Sequence, residues 1–591
     1  MRSRRARVTD PLAILRQTFG FPDFRGVQRQ VIDRVLGGEG TLAVMPTGAG
    51  KSLCYQLPAV ALPGTCVVVS PLIALMHDQL RSAEAIGLRA ATLTSVDTNQ
   101  AETVARFRSG ALDLLYVAPE RASNEGFRAL LGQAPLALFA IDEAHCVSEW
   151  GHDFRPDYRL LKPLLDRFPE VPRLALTATA DAHTRADILE QLGIPRAGLI
   201  VAGFDRPNIR YAISPRETIG RQLAELVRAN PGPGIVYAPT RAATERLAEQ
   251  LVRTGRPTRA YHAGLDPAIR ARAQADFVAS EDMVICATIA FGMGIDKPDV
   301  RFVAHAALPK SIEAYYQETG RAGRDGDPSV AHLFWGAEDF AQGWRRVSEA
   351  EPDRQKTVRA QLQAMQNLVE TPGCRRAVLL KHFGEQPEAF CGNCDNCLAR
   401  PAVLDATELA RKLLSAVYRT GQSFGVGHLE KVLTGARDER IEKFGHDALS
   451  VFGIVEGEQA KLLRPLARAL QARGVLTSSE HGALQLAGSA RAVLRGEEAV
   501  AIIAPPPPKR RERRRAEAMP DDPLFDALRA KRRALAQEAG VPPYVIFHDS
   551  VLREMAALKP QNRAALAQIS GIGARKMEAY GDAFLAVIRE G

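Results

Sequence analysis

From Thr41 to Trp335 the chain repeats one pattern, a short run of apolar and β-branched residues followed by a helix-like stretch. The runs are Thr41-Leu42-Ala43-Val44, Thr65 to Ser70, Leu112 to Val117, Leu136 to Ile141 and Leu174 to Thr177. Continuous apolar strands are buried on both faces, and strands that alternate with helices build parallel sheets. The pattern restarts after Asp205-Arg206-Pro207-Asn208 with Ile235-Val236-Tyr237, Ala260-Tyr261, Val284-Ile285-Cys286 and Phe302-Val303-Ala304. It predicts two successive α/β lobes, residues 1–203 and 204–335, with a cleft between them.

Past Trp335 the pattern changes. Within 336–401, residues 350–400 read as a helical hairpin ending in a cysteine cluster, and 402–503 as short helices followed by a hairpin around His481-Gly482. Ala504-Pro505-Pro506-Pro507-Pro508-Lys509-Arg510-Arg511 and the arginines after it cannot build a core. Their prolines and like charges favour an extended linker over 504–520. Residues 521–591 are rich in helix formers and predict a small helical domain.

A chain of 591 residues is too long for one hydrophobic core, which agrees with this division. No apolar run approaches the roughly 20 residues of a membrane-spanning helix, so no membrane partner is expected. The start, Met1-Arg2-Ser3-Arg4-Arg5, is basic without an apolar stretch of signal length behind it, so a chain that stays in the cytoplasm is expected. A net charge of +9 favours a polyanionic partner without identifying one.

Met45-Pro46-Thr47-Gly48-Ala49-Gly50-Lys51-Ser52 follows a strand and precedes a helix-like run. In that context a glycine loop wraps backbone N–H groups around phosphates, with Lys51 reaching the β and γ phosphates and Ser52 binding Mg²⁺. Met45 stands where the strict P-loop pattern has glycine, so the match is to the TGxGKS form. Downstream, the strand Leu138-Phe139-Ala140-Ile141 runs into Asp142-Glu143-Ala144-His145. A carboxylate pair at a strand's C-terminal end suits Mg²⁺ coordination by Asp142 and polarisation of an attacking water by Glu143. In the second lobe, Tyr316-Gln317-Glu318-Thr319-Gly320-Arg321-Ala322-Gly323-Arg324 puts two arginines on a glycine-punctuated turn. Arg324 is the expected arginine finger, with Arg321 and Gln317 beside it.

These motifs, in this order, resemble superfamily 2 helicases, and further stretches resemble the RecQ family. Phe19-Gly20-Phe21, Phe24-Arg25 and Gln28 resemble its adenine-recognition motif, which implies ATP as the nucleotide, Phe21 stacking on the base with Arg25 beside it, and Gln28 pairing with its edge. Ser70 to Gln79, Ala118 to Arg121, Thr177-Ala178-Thr179 and Ala287 to Asp296 resemble its strand-contacting and coupling motifs. Cys146 to Pro156 resembles its aromatic-rich loop, which implies DNA contacts from Trp150, His152, Phe154 and Arg155. Stacking on an unpaired base is worth about 1–3 kcal/mol.

Cys374, Cys391, Cys394 and Cys397 give the spacing C-x₁₆-C-x₂-C-x₂-C. The residues alone suit either a closed tetrahedral Zn²⁺ site or an iron–sulfur cluster; the resemblance favours zinc. Residues 402–503 resemble the family's winged-helix (RQC) domain, and 521–591 its HRDC module, with Tyr544 of Val541 to Phe547 as a DNA contact. The implied fold is two tandem RecA-like parallel-sheet lobes, then a helical zinc-binding subdomain, a winged helix and a helical HRDC domain. The implied activity is ATP- and Mg²⁺-dependent 3′-to-5′ unwinding of DNA in recombination and repair. Single-stranded DNA and duplex junctions are the implied substrates, and a single-strand-binding protein is a candidate partner. Two rival readings are a DEAH-type RNA helicase, which explains neither the adenine motif nor the cysteines, and a non-hydrolysing scaffold, which has no use for Lys51, Glu143 and Arg324 together.

Overall fold

The computed structural model describes residues 10–148, 155–289, 291, 297–479, 482–504 and 522–590. Trp150, His152 and Phe154, residues Ala290 and Gly292 to Asp296 of the coupling motif, His481 and the linker 505–520 lie outside the described residues. Among the described residues no helix is long and apolar enough to cross a membrane.

The first lobe is a seven-stranded sheet of β1 (Thr41–Val44), β2 (Thr65–Val69), β3 (Ala90–Leu93), β4 (Leu114–Val117), β5 (Leu136–Ile141), β6 (Arg173–Thr177) and β7 (Leu199–Val201), in the order β3-β4-β2-β5-β6-β1-β7. The second is a six-stranded sheet of β8 (Ile209–Pro215), β9 (Gly234–Tyr237), β10 (Thr258–Tyr261), β11 (Val284–Ala287), β12 (Phe302–His305) and β13 (Ser329–Trp335), in the order β10-β11-β9-β12-β13-β8. Every pairing in both sheets is parallel. The continuous apolar runs therefore have the expected cause: β1, β2, β4, β9 and β11 are buried along their whole length, covered on both faces. The pattern did not reveal β3, β7, β8 or β13.

One apolar core runs through both lobes and into the segment after them, with Phe204 at the crossing. The Phe204 ring stacks on Phe383 at 4.6 Å between centroids and meets Tyr316 at 6.0 Å. The Tyr316 hydroxyl donates to the Phe204 carbonyl at 2.7 Å. Helices Ala337–Glu349, Pro352–Glu370 and Arg375–His382 carry the chain to the four cysteines.

A separate core follows over helices Thr407–Arg419, Val426–Thr434 and Glu458–Ala472, with the short antiparallel wing β15 (Leu476–Ser478) and β16 (Leu484–Leu486). It is closed by pairing of β14 (Val403–Asp405) with β17 (Ala501–Ile503). Arg468 ties this unit to what precedes it: it bonds Glu370 at 3.0 Å and lies 5.1 Å above the Trp335 ring.

The last helices, Pro523–Ala539 through Ala574–Glu590, have their own core yet rest on both lobes. Buried Glu281 of the second lobe receives Arg529, Arg532 and Arg533 at 3.1, 2.6 and 2.5 Å, and Arg553 pairs with Asp327. On the first lobe, Arg575 donates to the Ala85 carbonyl at 3.0 Å, and Gly573 packs against Gly20.

Candidate active site

Neighbouring strands β5, β6 and β1 end side by side, so Asp142, Thr177 and the loop Met45–Lys51 share the C-terminal edge where open α/β sheets bind ligands. The loop's shape depends on two glycines, Gly48 at φ +87° and Gly50 at φ +73°. A Cβ on Gly50 would also strike the Gln28 amide at 2.6 Å. That contact is structural: buried Gln28 donates to the Ala49 and Gly50 carbonyls at 2.9 and 3.3 Å and accepts from the Arg25 N–H at 2.8 Å. Gln28 thus braces the P-loop through its side-chain amide, whose polar atoms are engaged by backbone groups. Phe21 is exposed, with the Arg25 guanidinium 5.9 Å from its ring. Ser52 stands at the start of helix Leu53–Ala61, and Lys51 Nζ lies 3.4 Å from the Met45 carbonyl.

Glu143 sits at φ +48°, a left-handed conformation that costs a non-glycine residue roughly 1–3 kcal/mol and tends to persist where function requires it. Burial and the adjoining Glu143 carboxylate push Asp142 up to about 7, with Lys51 pulling it back. Two crowded acids at a buried strand end are a donor set that calls for a cation, and Mg²⁺ with its oxygen preference fits. His145 Nδ1 lies 3.0 Å from Thr177 Oγ1, linking the acidic motif to Thr177-Ala178-Thr179. The C-terminal flank of the aromatic-rich loop is anchored here. Tyr158 donates to the Asp142 carbonyl at 3.0 Å, and Arg155 donates to Pro71, in the segment Ser70 to Gln79, at 2.8 Å.

The turn after helix Ile312–Thr319 reaches this edge from the second lobe. The aliphatic part of Arg324 and its Cα would lie 3.4–3.5 Å from a Cβ on Gly48, and Thr47 packs against Gly320. Arg321 is buried in the same turn, and Gln317 is on the helix leading into it. A residue read in the sequence only as part of a domain boundary also converges here. The buried Arg206 guanidinium donates to the carbonyl of Thr47 at 2.7 Å and to those of Gly320, Ala322 and Gly323 at 3.1, 2.9 and 2.9 Å.

The Sγ atoms of Cys374, Cys391, Cys394 and Cys397 lie within 4.8 Å of one another, and two of the pairs are 3.9 Å apart. Tetrahedral Zn–S bonds of about 2.3 Å imply sulfurs roughly 3.8 Å apart, so the four thiols fit zinc. Backbone N–H groups of Ala377 and Asn393 point at Cys374 and Cys391 Sγ, each at 3.4 Å. Tyr544 is half-buried. Its ring lies 5.8 Å from Lys297 Nζ where the last domain meets the second lobe.

Comparison with known families follows the same division. Residues 25–188 match the DEAD/DEAH box helicase family and 218–326 the helicase conserved C-terminal domain. Residues 337–398 match RecQ zinc-binding, 400–511 the RQC domain and 521–588 the HRDC domain. A Haemophilus influenzae protein named ATP-dependent DNA helicase RecQ is 41% identical over 593 residues, covering 98% of this chain and 96% of the relative. The chain belongs to the RecQ family. Proteins of the same name from Pasteurella multocida and Bacillus subtilis are 41% and 37% identical, each covering 98% of this chain and 93% and 98% of the relative. RecQ membership gives the zinc-binding match its meaning: the four clustered cysteines all lie within it, and zinc is the metal they fit.

Proposed function

We propose that this RecQ-family chain is an ATP-dependent DNA helicase that moves 3′ to 5′ and unwinds DNA in recombination and repair. One observation carries the reading: the second lobe's Arg324 rests on Gly48 of the first lobe's P-loop, so an arginine able to meet the γ-phosphoryl belongs to the body that must move. Lys51 holds the β and γ phosphates and Glu143 orients the water. Arg324, with Arg321 and Gln317, stabilises the charge that develops in the transition state. Mg²⁺, held by Ser52 and Asp142, would supply charge neutralisation on the phosphate oxygens. Phe21, Arg25 and Gln28 select adenine.

DNA enters through Trp150, His152, Phe154 and Arg155, and a strand there biases the carboxylates through the Tyr158 bond to Asp142. Tyr544 contacts DNA once the HRDC domain leaves the motor. The chain works in the cytoplasm on the nucleoid, with single-stranded DNA and duplex junctions as substrates and a single-strand-binding protein as partner. The test is strand displacement on matched DNA and RNA duplexes carrying either overhang, with and without ATP. Unwinding of the DNA duplex with a 3′ overhang, only with ATP, is expected. RNA unwinding of equal rate, or preference for the 5′ overhang, contradicts the proposal.

A further inference from the structure

We infer that Arg206 is a positioning residue for ATP hydrolysis: it fixes the arginine turn of the second lobe against the P-loop, and the zinc loop holds it in place to do so. Its four terminal N–H groups meet four carbonyls, one from the P-loop and three from the turn that carries Arg321 and Arg324. Among the described residues no carboxylate pairs with it. A buried cation hydrogen-bonded only to neutral carbonyls gains little net stability, so its fitness as mere glue is poor. What the planar fork does well is set geometry, because its donors meet both lobes in one rigid plane.

Asn208 works on the same turn, donating to the Gly323 and Asp327 carbonyls at 2.8 and 2.9 Å, and a Cβ on Gly323 would strike that amide. Gly323 itself is at φ +55°, so the turn needs support to hold its shape.

Behind Arg206 the backbone is clamped from the zinc subdomain. Arg376 pairs with Asp205 at 3.2 Å and donates to the Ile209 carbonyl at 2.7 Å. Asn393, lying between two zinc-ligand cysteines, donates to the Pro207 carbonyl at 2.9 Å. Glu385 accepts from the Phe204 N–H. The segment Phe204–Ile209 is therefore fixed to the metal-bearing unit, and its one long cation points the other way, at the nucleotide edge.

The inference rests on Arg324 acting at the phosphates, which Arg324→Ala tests by itself. The experiment uses the full-length zinc-loaded protein at saturating single-stranded DNA and compares Arg206→Ala, Arg206→Lys and Asn208→Ala for kcat and KM with ATP, zinc content and melting. Arg206→Ala is expected to lower kcat about tenfold or more, with KM and strand affinity within about threefold and zinc retained. Arg206→Lys restores the charge but not the fork, so it recovers only part of the loss. Asn208→Ala lowers kcat less than either. Should Arg206→Ala prove insoluble, the other two variants carry the test. A kcat within about twofold of the parent in any folded Arg206 variant overturns the inference, as does a loss that appears in KM alone. If Arg324→Ala also keeps its turnover, the finger reading has failed; if only the Arg206 variants do, this inference alone has failed.

Discussion

The junction at Arg206 and the junction at Glu281 each bury an arginine between two bodies of the chain, but one meets it with carbonyls and the other with carboxylates. Arg206 finds only peptide oxygens, and burial, with Arg324 nearby, pulls its guanidinium below the usual arginine range. Arg532, also buried, pairs with Glu281 at 2.6 Å and Asp549 at 2.7 Å, and burial's pull on it is outweighed by those two acids. The difference fits what each body must do. If the lobes part and close as ATP turns over, their contact should not be deep in free energy, whereas an HRDC domain that stays on the motor needs a strong hold. Two of the arginines at Glu281, Arg529 and Arg533, remain partly exposed, so salt screens part of that hold and has little purchase on the carbonyl cup.

The largest effect is expected where the zinc loop braces the first junction. Cys394→Ser removes a ligand from a site of a kind that contributes about 10–16 kcal/mol of apparent binding energy, so soluble yield should fall and metal be lost. Elemental analysis checks this, and iron with acid-labile sulfide in the parent protein would show the wrong metal was assigned.

Glu281→Gln tests the second junction. Removing one partner of a buried ion pair costs about 3–5 kcal/mol, enough to free the HRDC domain from the motor. Small-angle scattering should then report a larger radius, and added salt should enlarge the parent in the same direction. An unchanged radius would mean the arginines around Glu281 do not hold the domain.

A milder effect separates binding from coupling. Trp150→Ala should lose one base contact worth about 1–3 kcal/mol at most, yet retain a defect in DNA-stimulated hydrolysis even at saturating oligonucleotide. Full recovery at saturation would make Trp150 an ordinary binding residue.

The smallest effect concerns pH at a contact between helix Ile312–Thr319 and the zinc subdomain, where His382 meets Glu313 at 2.5 Å. Burial pushes Glu313 up, but the His382 bond and charge outweigh it and take it down to about 2; burial pulls His382 down, and Glu313 leaves it raised. The stability from Glu313 is present above 4.5 and lost as pH falls toward 2. That from His382 is full below 6.5 and lost as pH rises through its higher folded value. His382→Gln should therefore lower the motor's Tm more near pH 6 than near pH 9, by roughly 2–4 °C. Equal losses at both pH values would mean the pair is not charged.

Both junctions escaped the sequence for one reason. Phosphate loops, paired acids and clustered thiols advertise chemistry through residue type and spacing, so Lys51, Asp142, Glu143, Arg324 and the four cysteines stand out in the sequence alone. The partners of Arg206 are carbonyls, which every residue has, and Asp205-Arg206-Pro207-Asn208 read only as a boundary. Glu281 stands in Ser280-Glu281-Asp282, a stretch that looks like ordinary solvated surface until the last domain covers it. The strands missed follow similar logic. In β8 buried positions alternate with less buried ones at a sheet edge, β7 is three residues long, and exposed Val403–Asp405 pairs with Ala501–Ile503 at the far end of the winged-helix unit.

The most direct test of the account is the turnover of Arg324→Ala at saturating ATP and single-stranded DNA, measured beside its affinity for a non-hydrolysable ATP analogue. If the second lobe completes the active site on the P-loop, kcat should fall by about 10³–10⁵ while nucleotide affinity changes only a few-fold. A kcat within about tenfold of the parent, in a folded protein that still binds nucleotide, would contradict the claim that lobe closure brings the catalytic arginine to the phosphates.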